Sequence, residues 1–283
     1  MIVVDACVRD GGGGSPTAVV YDNGTSDAER QRMPARAGAS HAAFVAREPN
    51  ADGSRSVRFF TAEGELRGCG HGTVAAQAVL LDDGAFTGLQ HTGGRTFEVR
   101  ATRRPDGIEV SFDQGLVTLR LPSTEERAAV EALGVRPHGA VTVASPGAPR
   151  LLVPVADHDA LRALAPDLDA LGAVTRRLGL LGCFVYVAPD GSGARAAARM
   201  FAPAIGVPED VANANSTGCL AAHLLAVAGI ERIEVDQGDA LGHPATVYAS
   251  AESTVDGIRT WVGGLAVIRH SLILQLWRPN QPS

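Results

Sequence analysis

Closely spaced cysteines are missing from this chain. Cys7, Cys69, Cys183 and Cys219 are its four cysteines. None forms a CxxC pair and each lies in an apolar setting, so the spacing supports neither a zinc motif nor a disulfide framework. An excess of basic charge is missing too. The net charge of −6 and the isoelectric point near 5.7 argue against nucleic acid or an anionic membrane as the main partner, because both are held by basic patches. Small anions captured by local groups remain easy to accommodate. No apolar run reaches the roughly 18 residues of a transmembrane helix. Met1 to Cys7 has no basic leader and is broken by Asp5, so no secretory signal is expected there and a cytoplasmic location fits best. Gly11 to Gly14 is followed neither by Lys-Ser/Thr nor by a helix start, and reads as a turn beside a site rather than a phosphate cradle. Neither a nucleotide cofactor nor a metal is expected.

The composition present is that of a folded globular protein, 45% hydrophobic and 20% charged. A chain of 283 residues exceeds the usual single core, so two lobes are expected. The organising stretch is Glu65 to Leu81, where Cys69-Gly70-His71-Gly72-Thr73 leads into Val74 to Leu81, a run with Gln77 as its one polar residue. A helix apolar all round belongs inside a domain. Gly70 and Gly72 allow close backbone approach to a ligand, and the first turn offers unpaired N–H groups and the positive end of the dipole to an anion. His71 then stands beside a carboxylate-sized site. The same residues also read as a helix cap beside a small buried thiol.

In chain order, Ile2–Cys7 and Thr17–Asp22 read as strands, and Ser26 to Arg36 as a helix capped by Ser26. Strands are expected again near residues 42–46, 56–61, 96–101 and 107–112. A break at Asp113-Gln114-Gly115 marks the crossing to a second lobe. There, Arg199 to Pro203 reads as a strand, and Asn213-Ala214-Asn215-Ser216-Thr217-Gly218 enters the apolar run Cys219 to Val227, which stops at Gly229. Two buried helices, each entered through small and polar residues, suggest a pseudo-repeat. The fold expected is α+β, with two pseudo-symmetric lobes, each a mostly antiparallel sheet around a central helix. Residues 1–114 and 115–263 form the lobes, a last strand at about 264–276 returns to the first, and a cleft between them holds the site.

At this point a family resemblance becomes specific. Phe60-Thr61, Glu65-Leu66 and Cys69-Gly70-His71-Gly72-Thr73 resemble the signature of the phenazine biosynthesis PhzF-like proteins, relatives of diaminopimelate epimerase. Gly14-Ser15-Pro16 resembles the family's GNP turn, Arg199 to Pro203 its R-M-F-x-P strand, and Gly206 to Asp210 its G-x-x-E-D turn. Gln237-Gly238, Gly242-His243-Pro244 and Gly263-Gly264 follow in the right order, so the resemblance covers about residues 1 to 276. It implies cofactor-free isomerase chemistry between two lobes, on a small carboxylic or amino acid, and is compatible with a homodimer.

The resemblance also implies roles, residue by residue. The family's glutamate base falls on His41, within Ser40-His41-Ala42-Ala43-Phe44-Val45. Its active-site histidine, aspartate and glycine fall on His71, Asp210 and Gly70, and its substrate-holding serine falls on Asn215, beside Ser216. Ser15, Gly72 and Thr73 complete the expected binding set. His41 is then the carbon base, His71 the proton donor, and Asp210 the group that fixes a charged substrate or one imidazole. Two alternatives stay open. Racemisation needs a thiolate on each face of the carbon; Cys69 stands at the first position, but the second falls near Ala214. A non-catalytic small-acid binder, with His41 a relic of a lost base, is the other.

Overall fold

The structure, a computed structural model, describes residues 1–190 and 194–269. The chain begins β1 (Ile2–Ala6), β2 (Ser15–Tyr21), α1 (Asp27–Arg36), β3 (His41–Val45), β4 (Arg55–Thr61), β5 (Gly64–Leu66), α2 (Gly70–Asp82), β6 (Leu89–Thr92), β7 (Arg95–Arg104) and β8 (Gly107–Arg120). After α3 (Thr124–Ala132) the same order returns. It runs β9 (Thr142–Ser145), β10 (Arg150–Pro154), α4 (His158–Arg162), α5 (Leu168–Leu178), β11 (Cys183–Val187), β12 (Arg195–Ala202), β13 (Val207–Asp210), α6 (Ala214–Ala228), β14 (Arg232–Gln237), β15 (Ala245–Thr254) and β16 (Gly257–Arg269).

The pairing shows the repeat directly. In the first half β2 lies parallel to β3 and β4 parallel to β6; in the second, β10 lies parallel to β11 and β12 parallel to β14. Every other strand pair among the described residues is antiparallel. The ladder closes twice. β1, β2, β3, β4, β6, β7, β8 and β16 form one ring, and β8, β9, β10, β11, β12, β14, β15 and β16 form the other, with β8 and β16 shared. The expected fold, two pseudo-symmetric strand layers each around one helix, is therefore the observed one. Closing each sheet on itself removes most of the free strand edges that would otherwise pair with other chains.

Each ring is filled by its apolar helix. Gly70 to Leu80 of α2 are all buried, as are Ala214, Leu224 and Ser216 to Ala222 of α6, which is why neither helix carries a polar stripe. Each fully buried Leu or Val contributes about 1.5–3 kcal/mol, so packing rather than helix propensity holds these segments. α1 and α5 lie outside the rings and are built differently. Ser26 and Glu29 form a reciprocal capping box at α1, and the Asp167 side chain caps α5. None of the helices among the described residues is long and apolar enough to cross a membrane.

At Asp113-Gln114-Gly115 the chain does not leave the sheet. β8 continues to Arg120, with a bulge opposite Thr260 and Trp261 and Gly115 at φ +91°. The extra residue turns Gln114 toward α6, where Nε2 donates to the Asn215 carbonyl at 2.8 Å and Oε1 accepts from Thr260 Oγ1 at 2.8 Å. Beyond the bulge, Thr118–Arg120 pair with β9, while Ala266–Arg269 of β16 pair with β1. Each half thus lends a strand end to the other. Residues 270–276 of the expected returning strand lie outside the described residues.

Candidate active site

The two central helices begin against each other. A Cβ placed on Gly70 would lie 2.5 Å from the Cβ of Ala214, so only glycine permits this approach of the two N-termini. Both starts rest on the same support. Thr73 Oγ1 donates to the Cys69 carbonyl at 2.9 Å and accepts from Gln90 Nε2; Thr217 Oγ1 donates to the Asn213 carbonyl at 3.0 Å and accepts from Gln237 Nε2. This correspondence pairs Cys69 with Asn213, Gly70 with Ala214, His71 with Asn215 and Gly72 with Ser216. The residue opposite Cys69 is therefore Asn213, next to Ala214, near which the second position is expected.

The caps differ. Asn213 accepts the Ser216 N–H on its side chain at 2.9 Å, whereas no side chain caps α2. The first-turn N–H groups of α2 therefore lack a side-chain cap among the described residues, at the positive end of the dipole.

His41, the first residue of β3, and His71, in the first turn of α2, are both buried and meet edge to face, with ring centroids 4.4 Å apart. His71 is fixed from both sides. Nδ1 lies 3.0 Å from the Ala212 carbonyl, which only accepts, so Nδ1 carries a proton; Nε2 is 3.3 Å from Cys69 Sγ. His41 Nδ1 is 2.8 Å from Ser40 Oγ, which leaves Nε2 as its reactive atom.

The surroundings push the two imidazoles in opposite directions. Burial and the neighbouring His71 charge hold the His41 pKa well below the ordinary histidine range, only partly offset by Asp210. Burial acts to lower His71 as well, but it is outweighed by the charges of Cys69 and Asp210, the Cys69 hydrogen bond and the Ala212 carbonyl, and its pKa is raised. The two pKa values are thus driven apart, which is the arrangement expected of an acid–base couple.

Asp210 ends β13, is buried, and accepts from Asn213 Nδ2 at 2.9 Å. It bonds neither imidazole and acts on them through its charge. Ser15 Oγ is fully buried and has no hydrogen-bond partner among the described residues, at the start of β2, whose Thr17 pairs with His41. Gly72 packs on the Phe59 ring and Cys69 Sγ. Thr73 and Ser216, both placed in the expected binding set, are turned inward: Thr73 to the Gln90 network, Ser216 to Arg150 Nη1 at 3.1 Å and Met200 Sδ at 3.5 Å. Asn215 is half-buried, and its carbonyl is held by Gln114.

Sequence spacing gave no reason to place His41, Cys69 and His71 together as ligands, yet their donor atoms lie within 4.8 Å of one another. Cys7, Cys183 and Cys219 are inert by contrast, since burial pushes their thiols up to about 12, 12 and 11.

The paired rings around helices that meet at their N-termini, with two buried imidazoles at the junction, give the chain a diaminopimelate epimerase-like fold. Comparison with known proteins narrows this. The family model described as "Phenazine biosynthesis-like protein" matches residues 4–271, and the chain belongs to that family. It is similar to the "Uncharacterized isomerase YddE" of Escherichia coli, 31% identical over 86% of this chain and 87% of that protein. It is also 33% identical to the "Trans-2,3-dihydro-3-hydroxyanthranilate isomerase" of Pseudomonas aeruginosa, over 89% of this chain and 90% of that one. The crystal structure of a PhzF-family phenazine biosynthesis protein from Bacillus anthracis shares the fold, with a TM-score of 0.79 at 19% identity, covering 94% of this chain and 95% of that one.

Proposed function

We propose that the chain is a cofactor-independent isomerase that moves a proton, and with it a double bond, in a small unsaturated cyclic acid or amino acid of a specialised-metabolite pathway. The observation that carries this reading is the His41–His71 couple at the uncapped start of α2. The relative that acts on a dihydroaromatic amino acid supports that substrate class.

In this mechanism the substrate carboxylate lies on the α2 first-turn N–H groups, with Ser15 Oγ as a further donor. Neutral His41 takes the proton from carbon through Nε2, and the His71 imidazolium donates to the charge that develops or reprotonates the far carbon. The bound carboxylate adds negative charge beside His41 and raises its pKa, so the base strengthens when substrate is present. The 4.4 Å ring separation supports this reading, since a shift along a single face needs both proton-handling groups at one edge of the substrate. The chain contains no lysine, so imine formation with a side-chain amine plays no part. Two-base racemisation has less support, because the position opposite Cys69 is Asn213, which has no basic atom.

The test is solvent deuterium incorporation into dihydroaromatic and proline-derived trial acids, followed by mass spectrometry. Incorporation together with a displaced double bond supports the reading. Exchange at a stereocentre without bond migration transfers the assignment to racemisation. Binding without exchange makes the protein a small-acid binder.

A further inference from the structure

The convergence of His41, Cys69 and His71 has a second chemical meaning. Their ligand atoms lie within 4.8 Å of one another, all three residues are buried, and Cys69 Sγ and His71 Nε2 are already 3.3 Å apart. Tetrahedral zinc with bonds of about 2.0–2.1 Å to nitrogen and about 2.3 Å to sulfur needs ligand atoms roughly 3.3–3.6 Å apart. A small side-chain rotation supplies the remaining closure. The nitrogens turned away from this point are held as metal-binding histidines usually are, His71 Nδ1 by the Ala212 carbonyl and His41 Nδ1 by Ser40 Oγ. Such outer contacts fix the tautomer and aim the free Nε2 at the ion.

We infer that these three side chains form a site for a zinc-class ion, with one coordination position left open, and that the ion is an off-switch rather than a cofactor. One thiolate and two imidazoles suit Zn²⁺ and exclude the hard ions Mg²⁺ and Ca²⁺, which take oxygen ligands. Binding demands a thiolate at Cys69, and the Asp210 carboxylate lies close enough to act on both histidines. Binding displaces one proton from the Cys69 thiol and one from His71 Nε2, and each Nε2 then gives its lone pair to the ion; nothing is oxidised or reduced. The atoms taken are those that carry protons in the isomerase reading, so the metal and the reaction exclude each other. A carboxylate at position 41, as the family resemblance has it, would make a different site. The His2Cys set arises from the imidazole in this chain.

The experiment uses the full chain stripped with a chelator and titrated with Co²⁺, then Zn²⁺. The expected result is one Co²⁺ per chain with a thiolate-to-metal charge-transfer band, displaced by Zn²⁺. Cys69→Ser removes the band. His41→Gln weakens Zn²⁺ binding, and Ser40→Ala, which removes an outer contact and no ligand, weakens it by about 10-fold. Circular dichroism of each variant confirms folding. Absence of binding by the wild-type chain, a band that survives Cys69→Ser, or unchanged Zn²⁺ affinity in His41→Gln overturns the site. Deuterium exchange that persists with Zn²⁺ saturating the site overturns the off-switch. If the metal-free protein catalyses no exchange at all, the isomerase reading fails while the spectroscopic result still decides the site.

Discussion

The starts of α2 and α6 are two versions of one construction. Both rest on a threonine bonded back to the N-cap carbonyl and held by a glutamine from the following strand, Thr73 with Gln90 and Thr217 with Gln237. They part at the residue before the helix. Asn213 satisfies α6 internally, while Cys69 leaves the first turn of α2 without a side-chain cap. Beside α2 stand two imidazoles. Beside α6 lies Arg150, fully buried, its guanidinium held by Ser216 Oγ and the Ala148 carbonyl. One half of the repeat caps its helix end with a side chain, and the other does not.

The largest expected effect breaks this asymmetry at its reactive position. His71→Ala lowers kcat by about 10² or more, as removal of a general acid–base group does, while Asn215→Ala, its counterpart in the other half, changes KM more than kcat. Deuterium exchange rates at saturating and limiting substrate separate the two outcomes. His41→Ala stops exchange with binding retained. Full activity in that variant would move the base to His71 or Asp210.

The pH profile is the next test. In the proposed reaction His41 must be neutral, and its pKa is depressed, so kcat/KM is expected to fall on the acid side only well below the ordinary histidine range. His71 works protonated and its pKa is raised, so activity is lost as pH climbs through that raised value. The profile is therefore flat through neutrality. Asp210→Asn removes one of the charges that raise His71 and moves the alkaline limb to lower pH; an unmoved limb would assign that limb to another group.

Smaller effects concern the caps. Asn213→Ala costs about 1 kcal/mol of stability in urea denaturation, the usual loss for an N-cap. Cys69→Ser gives α2 a hydroxyl that can cap it, so it leaves stability equal or slightly raised and activity only modestly lowered. A thiol change that abolished turnover would favour the racemase chemistry. Smallest of all, dialysis against a chelator leaves turnover undiminished, and loss restored by added metal would count against the acid–base scheme.

Much of this was legible in the sequence because it depends on local pattern. The unbroken apolar runs after Thr73 and Thr217 have no face for water and mark the two central helices, and Ser26 followed by Glu29 marks the start of α1. α5 is harder to read, although Asp167 caps it and Leu168, Leu171, Thr175 and Leu178 fall on one helical face; its short apolar stripe lies among many flanking alanines and leucines. The inward turn of Thr73 and Ser216 was not legible either, since a hydroxyl near a helix start serves a ligand or a neighbour equally well. The meeting of His41 with Cys69 and His71 depends on β3 packing beside α2, a contact that no spacing along the chain encodes.

The sharing of β8 and β16 by both rings bears on how the chain is made. The first ring includes β1, whose partner along Ala266 to Arg269 is the end of the last described strand. During synthesis the N-terminal half therefore waits, its sheet open along β1 and its apolar helix incompletely covered, until every other described strand has emerged. Contacts so distant in sequence are slow to form, and unpaired strand edges are exposed meanwhile. Neither ring can close until β16 is laid between them.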